Sequence, residues 1–339
     1  MSGEFELIRR HFTRTAPAGM LGVGDDCALL SPSADATAVS TDLLVEGRHF
    51  FPDVDPRALG HKSLAVNLSD LAAMGAKPTA FVLGLALPLP RVDDAWLSAF
   101  AAGLFALADA YGCPLVGGDT TRSDTGTTLS ITIFGSVPAQ AALRRSGARP
   151  GDDIWVSGTL GDADLALRLL LGERDVPVAD RAAVLAATRG ALEWPEPRVA
   201  LGLALRGLAS AAIDISDGLL QDLGHVLAAS GCGARLCADD VPVSPAVAAL
   251  PAPWRRRCAL GGGDAYELCF TAPAEARARV AEAAARAGVA ATRIGAVDAG
   301  PGLRVVDAGG MPVPDLPRAG FDHFPMPVDP AAGSLPETS

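Results

Sequence analysis

The stretch VNLSDLAAMGAKPTAFVLGLALPLP, residues 66–90, decides the fold. Leu68 and Leu71, with Leu64 just upstream, form an apolar row at helical spacing, and the pattern halts at Gly75, ahead of Pro78. The apolar run that follows, TAFVLGLALPLP, has the length and composition of a strand and ends in prolines. A helix closed by glycine and feeding directly into a strand is the unit of an αβ layer. Ser63, Asn67 and Asp70 fall at i, i+4 and i+7 of the same helix, so a polar stripe runs beside the apolar one. Asp70 is then either part of a solvated helix face or a ligand carried on a rigid rod.

The same alternation continues on both sides. Residues 3–12 predict a short helix, and GMLGVGDDCALL and ATAVSTDLLVEG predict strands with loops rich in Asp and Gly. The opening helix covers 56–74, a second helix covers 92–111 and ends at Gly112, and CPLVGG and TLSITIFGSV supply further strands. A Gly/Pro turn in RRSGARPGDDIWVSG marks a boundary. Beyond it come a strand, a Gly-containing loop and a helix in IWVSGTLGDADLALRLLL, a helix near 198–208, a strand in SAAIDIS and a helix over 217–229. Strands in ARLCA and YELCFTA, a helix at 274–287 and a final hairpin complete the second half. The expected class is α/β in α+β layers, with two αβ domains. An N-terminal domain over 1–140 has a mixed sheet with helices on one face, a C-terminal αβ domain spans 141–327, and 328–339 forms a flexible tail.

With 49% hydrophobic and 20% charged residues in 339, the chain has the composition of a folded globule. Its formal net charge of −11 speaks against nucleic acid or a membrane surface as partner. Phosphorylated substrates are not excluded, because metal ions can bridge carboxylates and phosphates. Lys62 and Lys77 are its only lysines. The N-terminal MSGEFELIRRHF has no signal-peptide core, and no apolar run reaches membrane-spanning length, which points to the cytoplasm. Six cysteines without a C-x-x-C pair read as reduced, packed thiols.

Five acidic turns stand out: GVGDDCA with Asp25 and Asp26, VSTDLL with Asp42, VGGDTT with Asp119, IDISDG with Asp214 and Asp217, and GGGDAYE with Asp264 and Glu267. Most follow an apolar strand, where a loop presents a carboxylate from a rigid scaffold. Any one of them is readily structural, since Asp and Gly cap helices and make turns. Together with Asp70, and with hydroxyls at Ser40, Thr41, Thr120 and Ser216, they form the all-oxygen donor set that hard cations such as Mg²⁺ or Ca²⁺ prefer. Gly117–Gly118 and Gly261–Gly263 would let backbone N–H groups approach phosphates, or simply make tight turns. Neither a G-x-x-x-x-G-K-[ST] loop, an H-R-D loop nor a G-x-S-x-G elbow occurs.

Taken in order, GEFELIRRHF, GVGDDCALL, STDLLVEGRHF, HKSLAVNLSDLAAMGAKP, GGDTTRS, RSGARPGD, AIDISDGLLQDLGHV, YELCF and GFDHF resemble the thiamine-monophosphate kinase family over residues 3–324. The resemblance implies ATP-dependent phosphorylation of thiamine monophosphate, with several Mg²⁺ ions per site, ATP as co-substrate and a homodimer joined through the N-terminal sheets. It implies metal ligation by Asp26, Ser40, Thr41, Asp42, Asp70, Asp119, Asp214 and Asp217, with Asp70 bridging ions, and makes Asp42, Asp70 and Asp119 the catalytic set. Gly118, Asp119, Arg145 and Ser216 match nucleotide contacts, and His49, Asp264 and Phe321 match substrate contacts. One departure stands in GGDAYEL: Ala265 replaces an acid usual in the family, so one carboxylate is missing beside Asp264.

From residue type alone His49 could instead cap a strand end, Arg145 be boundary charge, and Phe321 pack in a core. A selenophosphate or aminoimidazole ribonucleotide synthetase would be a related alternative, and a non-catalytic nucleotide or metal sensor an unrelated one. The chain has no early Cys–Lys pair after a Gly-rich loop, which weighs against selenium chemistry.

Overall fold

The computed structural model describes residues 8–20, 30 and 34–316. Asp25, Asp26, Cys27, Phe321, most of the strand expected over 19–30 and the tail at 328–339 lie outside the described residues. Ile8–Phe12 forms a helical turn. The first unit then runs β1 (Ala36–Val45), α1 (Pro56–Ala73), β2 (Lys77–Leu87), α2 (Asp94–Tyr111), β3 (Leu115–Arg122) and β4 (Thr128–Val137). Its sheet has the order β1-β4-β2-β3. It is mixed because the α2 crossover returns β3 parallel to β2, whereas β4 runs antiparallel to both β1 and β2.

Local chemistry sets the helix ends. The Asp55 carboxylate accepts from Arg57 N–H and Pro56 opens α1, while Asp93 accepts from Trp96 N–H at the start of α2. Gly75 and Gly112 close the two helices with φ of 60° and 58°, the left-handed region that glycine adopts without penalty. Leu64, Leu68 and Leu71 of α1 pack with Leu129, Ile131 and Ile133 of β4 in one core. The opposite face of the sheet stays open, with Val39 and Leu43 59% and 55% exposed.

One expectation is corrected here. The apolar and polar stripes of α1 do not separate a buried face from a wet one, because α1 is buried all round, including Lys62, Ser63, Asn67 and Ser69. Glycines let neighbouring backbones press on it: a Cβ at Gly60 would lie 2.0 Å from Phe100 O, and one at Gly103 1.9 Å from Arg57 O. Ser63 and Asn67 turn their polar groups back onto the helix, to Gly60 O and Ser63 O.

The second unit runs β5 (Asp153–Ser157), α3 (Asp162–Leu170), α4 (Arg181–Glu193), α5 (Val199–Ala204), β6 (Ala211–Asp214), α6 (Leu219–Ser230) and β7 (Gly233–Cys237). It continues with α7 (Pro245–Ala248), α8 (Ala252–Gly261), β8 (Leu268–Ala272), α9 (Arg277–Arg286), β9 (Ala291–Asp298) and β10 (Gly302–Val306). The six-stranded order is β10-β7-β9-β5-β8-β6. The expected final hairpin is therefore corrected: β7 lies between β9 and β10, and β10 pairs parallel to β7. Gly233 at the head of β7 makes this possible, since a Cβ there would lie 2.1 Å from Gly300 O in the connecting turn. Helices α4, α7 and α8 were not among the expected elements. In α4 only Thr188 and Leu192 are buried, which leaves little apolar periodicity to read. No helix among the described residues is long and apolar enough to cross a membrane.

The second unit meets α1 through α5, where a Cβ at Gly202 would lie 2.0 Å from Ala72 O. Gly202→Ala should therefore cost about 1–3 kcal/mol in denaturant unfolding through overpacking. Gly224→Ala, on α6 with nothing within 4 Å of the new methyl, should stabilise by about 0.4–1 kcal/mol. Equal behaviour of the two variants would contradict this packing.

Candidate active site

Strand β1 alternates its side chains, so Ser40, Asp42 and Leu44 share the helix-side face while Val39, Thr41 and Leu43 take the open one. Helix α1 brings Ser69 and Asp70 to the same place, and β6 of the second unit ends there at Asp214. Ser40 Oγ donates a short hydrogen bond to Asp70 Oδ2, and Ser69 Oγ donates to Asp214 Oδ2 at 2.7 Å. Burial, reinforced by the charge of Asp70, pushes the Asp42 carboxyl up to about 7. Burial and then Asp70 push Asp214 up to about 7 as well, against the opposing hydrogen bond from Ser69. Burial raises Asp70 too, partly offset by the Ser40 hydrogen bond and the positive charge of Arg145. A strand, a helix and a strand of the second unit thus converge three acids that repel one another.

The loop after β6 is held by Asp222, whose Oδ2 accepts from Asp217 N at 3.1 Å and Gly218 N at 3.0 Å. Gln221 Nε2 donates to Asp217 Oδ2. Ser216 O accepts from Asp264 N at 2.8 Å, which ties the GGGDAYE turn to the same loop. Glu267, singled out with that turn, serves elsewhere: it is buried and held by Arg198 Nε at 2.7 Å and by Ser157. The Thr41 hydroxyl is also turned away, donating to Ile131 O at 3.1 Å and meeting Thr132 on the open face.

Gly118 and Asp119 lie on β3, at the sheet edge opposite β1. Gly118 has φ of 155°, and a Cβ there would lie 2.0 Å from Leu83 O. Three strand spacings of about 4.8 Å separate β3 from β1, so Asp119 is not brought to Asp42 within one chain.

Beside the N-terminal half of α1 lies a cavity of about 200 Å³ whose walls include His49, Phe50, Phe51, Lys62, Glu193 and Asp264. His49 Nδ1 accepts from Val45 N at 2.9 Å, so this residue both caps β1 and lines the cavity. Lys62 Nζ sits 2.8 Å from Asp264 Oδ1. Lys62, Ser69 and Asp222 were not among the expected site residues. Lys62 carried a usable signal, being one of only two lysines and eight residues upstream of Asp70 on the same helix.

The donor set fits a hard cation. It is all oxygen, its carboxylates are crowded and raised, and the buried Asn67 Oδ1, one turn from Asp70, has no hydrogen-bond partner. No group of three or more His, Cys, Asp or Glu among the described residues closes on one point, so these acids are neighbours and not a finished shell.

Comparison with known proteins agrees with this architecture. Residues 24–137 match the AIR synthase related protein N-terminal domain and residues 149–308 its C-terminal domain. The thiamine-monophosphate kinase of Salmonella typhimurium is 48% identical over 331 residues, covering 96% of this chain and 99% of the relative. That of Haemophilus influenzae is 40% identical over 95% of this chain and 98% of the relative. The crystal structure of the Stenotrophomonas maltophilia enzyme superposes with a TM-score of 0.79 at 45% identity, covering 91% of this chain and 96% of that one. AaThiL complexed with AMPPCP and TMP gives 0.72 at 30% identity, covering 89% and 92%. The fold is that of the AIR synthase related proteins. Within that class, the chain belongs to the thiamine-monophosphate kinase family.

The raised acids have a consequence for stability. A carboxyl near 7 when folded and near 3.8 when unfolded holds a proton in the folded state that the unfolded chain releases, so its contribution is lost as pH rises from about 4 to about 7. In chelator-treated protein, Asp42→Asn should gain on the parent by about 3 kcal/mol between pH 4.5 and 7.5. Denaturant midpoints giving the same difference at both pH values would contradict the assignment.

Proposed function

We propose that the chain transfers the γ-phosphoryl group of ATP to thiamine monophosphate, giving thiamine diphosphate, in the cleft between β1, α1 and β6. Membership of the kinase family supports the reaction, and one observation carries the site: Asp42, Asp70 and Asp214 are crowded at the junction of the two units. Asp42, Asp70 and Asp214, with Asp26, Ser40, Asp119 and Asp217, are the residues that would hold magnesium; the Thr41 hydroxyl faces the other side of the sheet and is not among them. When bound, magnesium supplies positive charge between two phosphates that otherwise repel. The nucleophile is a phosphate oxygen of the acceptor, ionised before it arrives, so no side chain has to act as a strong base. The work of the chain is positioning: Ser40 and Ser69 orient Asp70 and Asp214, and Asp222 fixes the loop bearing Ser216 and Asp217. Gly118, Arg145 and Ser216 serve the nucleotide; His49, Asp264 and Phe321 serve the ring end of the acceptor. Such an ATP-consuming step belongs in the cytoplasm.

The same reading calls for a homodimer. Among the described strands β1 and β3 are the two edges, Val39 and Leu43 are exposed on the sheet face away from α1, and Asp119 lies three strands from Asp42. Edge-to-edge pairing of β1 with the β3 of a second copy removes both edges and delivers Asp119 to the site beside Asp42.

Asp70→Asn should lower ADP formation with thiamine monophosphate by about a hundredfold or more, equivalent to about 2.7 kcal/mol, while the metal-free fold survives. Unphosphorylated thiamine should give no ADP above background with the parent enzyme. A folded Asp70→Asn protein with parental turnover at saturating Mg²⁺ would sink the assignment. Co-expressed Asp70→Asn and Asp119→Asn chains should together recover about a quarter of parental activity, since half the dimers are mixed and each holds one intact site. No recovery beyond either single variant would count against sharing of the site.

A further inference from the structure

Lys62 is buried, 4% exposed, on the wall of the cavity, and its ammonium has Asp264 as its ion-pair partner among the described residues. Burying an ammonium costs several kcal/mol unless it is well paired, so a lysine in this place calls for a reason beyond packing. Its partner is held in an unusual way. Asp264 and Tyr266 both adopt left-handed backbone, with φ of 60° and 49°, a conformation non-glycine residues keep only where surroundings force it. Their N–H groups are pinned to Ser216 O and Ile215 O, on the loop that follows Asp214. Asp264 Oδ1 accepts from the Tyr266 hydroxyl at 3.2 Å and faces Lys62 Nζ at 2.8 Å, which leaves Oδ2 as the acceptor available to a ligand.

Lys62 lies eight residues before Asp70 on α1, a rise of about 12 Å. If the acceptor's phosphate lies by Asp70, that distance reaches past a thiazolium ring to the aminopyrimidine. An aminopyrimidine edge presents an exocyclic N–H donor beside a ring-nitrogen acceptor. Lys62 and Asp264 present the complement, an N–H donor beside a carboxylate acceptor. We propose that Lys62 is a specificity-determining residue, donating to that ring nitrogen while Asp264 Oδ2 accepts from the exocyclic amine. This rests on thiamine monophosphate being the acceptor.

The test pairs a variant with a ligand. The parent enzyme and Lys62→Met are assayed with thiamine monophosphate and with the analogue in which that ring nitrogen is replaced by C–H. The parent should bind the analogue about tenfold or more weakly, by KM and by direct titration, with KM for ATP unchanged. Lys62→Met should raise KM for thiamine monophosphate by a similar factor and treat the two acceptors alike. Lys62→Met/Asp264→Asn, which leaves no unpaired buried carboxylate, should also fail to distinguish them. Equal binding of both acceptors by the parent overturns the proposal without any variant having to fold. So does a Lys62→Met protein that still prefers the ring nitrogen. No ADP from the parent with thiamine monophosphate would instead overturn the acceptor, and the proposal with it.

Discussion

The hydrogen bond from Ser69 to Asp214 joins the first unit's central helix to the second unit's sheet, at the point where three acids meet. Each side of that bond has its own mechanical support. On one side α1 is wedged between the β1-β4-β2-β3 sheet, α2 and α5, with glycines at 60, 103 and 202 permitting backbone contact. On the other, β6 is an edge strand whose end is fixed by β8 and by the Asp222-capped loop. The site is therefore built on a helix and two strand positions, which hold side chains more rigidly than free loops.

That rigidity explains why the acids tolerate one another. Asp42 and Asp214 would relax into water on a mobile scaffold; held here, burial first and the charge of Asp70 second raise the proton affinity of both. Hydroxyls from Ser40 and Ser69 and the charge of Arg145 offset part of the repulsion. The remainder is a stored preference for positive charge, the property a site needs when two phosphate groups must be brought together. The cavity is different in kind, with largely aromatic and aliphatic walls and the buried ammonium of Lys62 paired to Asp264. An acceptor with an anionic end and a heteroaromatic end fits that division.

Much of this was legible in the sequence where one rule acts locally. The 10-residue alternation in β4 and the Gly75 and Gly112 stops gave their elements to within a residue or two, because strand period and left-handed caps depend on neighbours in the chain. Asp42, Asp70 and Asp214 could be named because each ends an apolar run or breaks one. What escaped depends on contacts distant in sequence. The all-round burial of α1 is completed by α5, more than a hundred residues downstream, and nothing in α1 announces it. The placement of β7 between β9 and β10 turns on a glycine contact with a turn near residue 300. Lys62 is one of two lysines in the sequence, and only the fold places Asp264, two hundred residues away, beside it. Thr41 and Asp119 show the converse, since matching a motif does not say which face or which edge of a sheet a residue occupies.

The central claim, that the crowded acids hold protons until a cation takes their place, is tested most directly by counting protons as Mg²⁺ binds. Calorimetric titration of the metal-free enzyme with Mg²⁺, in buffers of different ionisation enthalpy, gives that count. With Asp42 and Asp214 titrating near 7, roughly one proton or more should leave per chain at pH 6, falling toward none by pH 8.5. Saturable Mg²⁺ binding at pH 6 with no proton released would contradict the account.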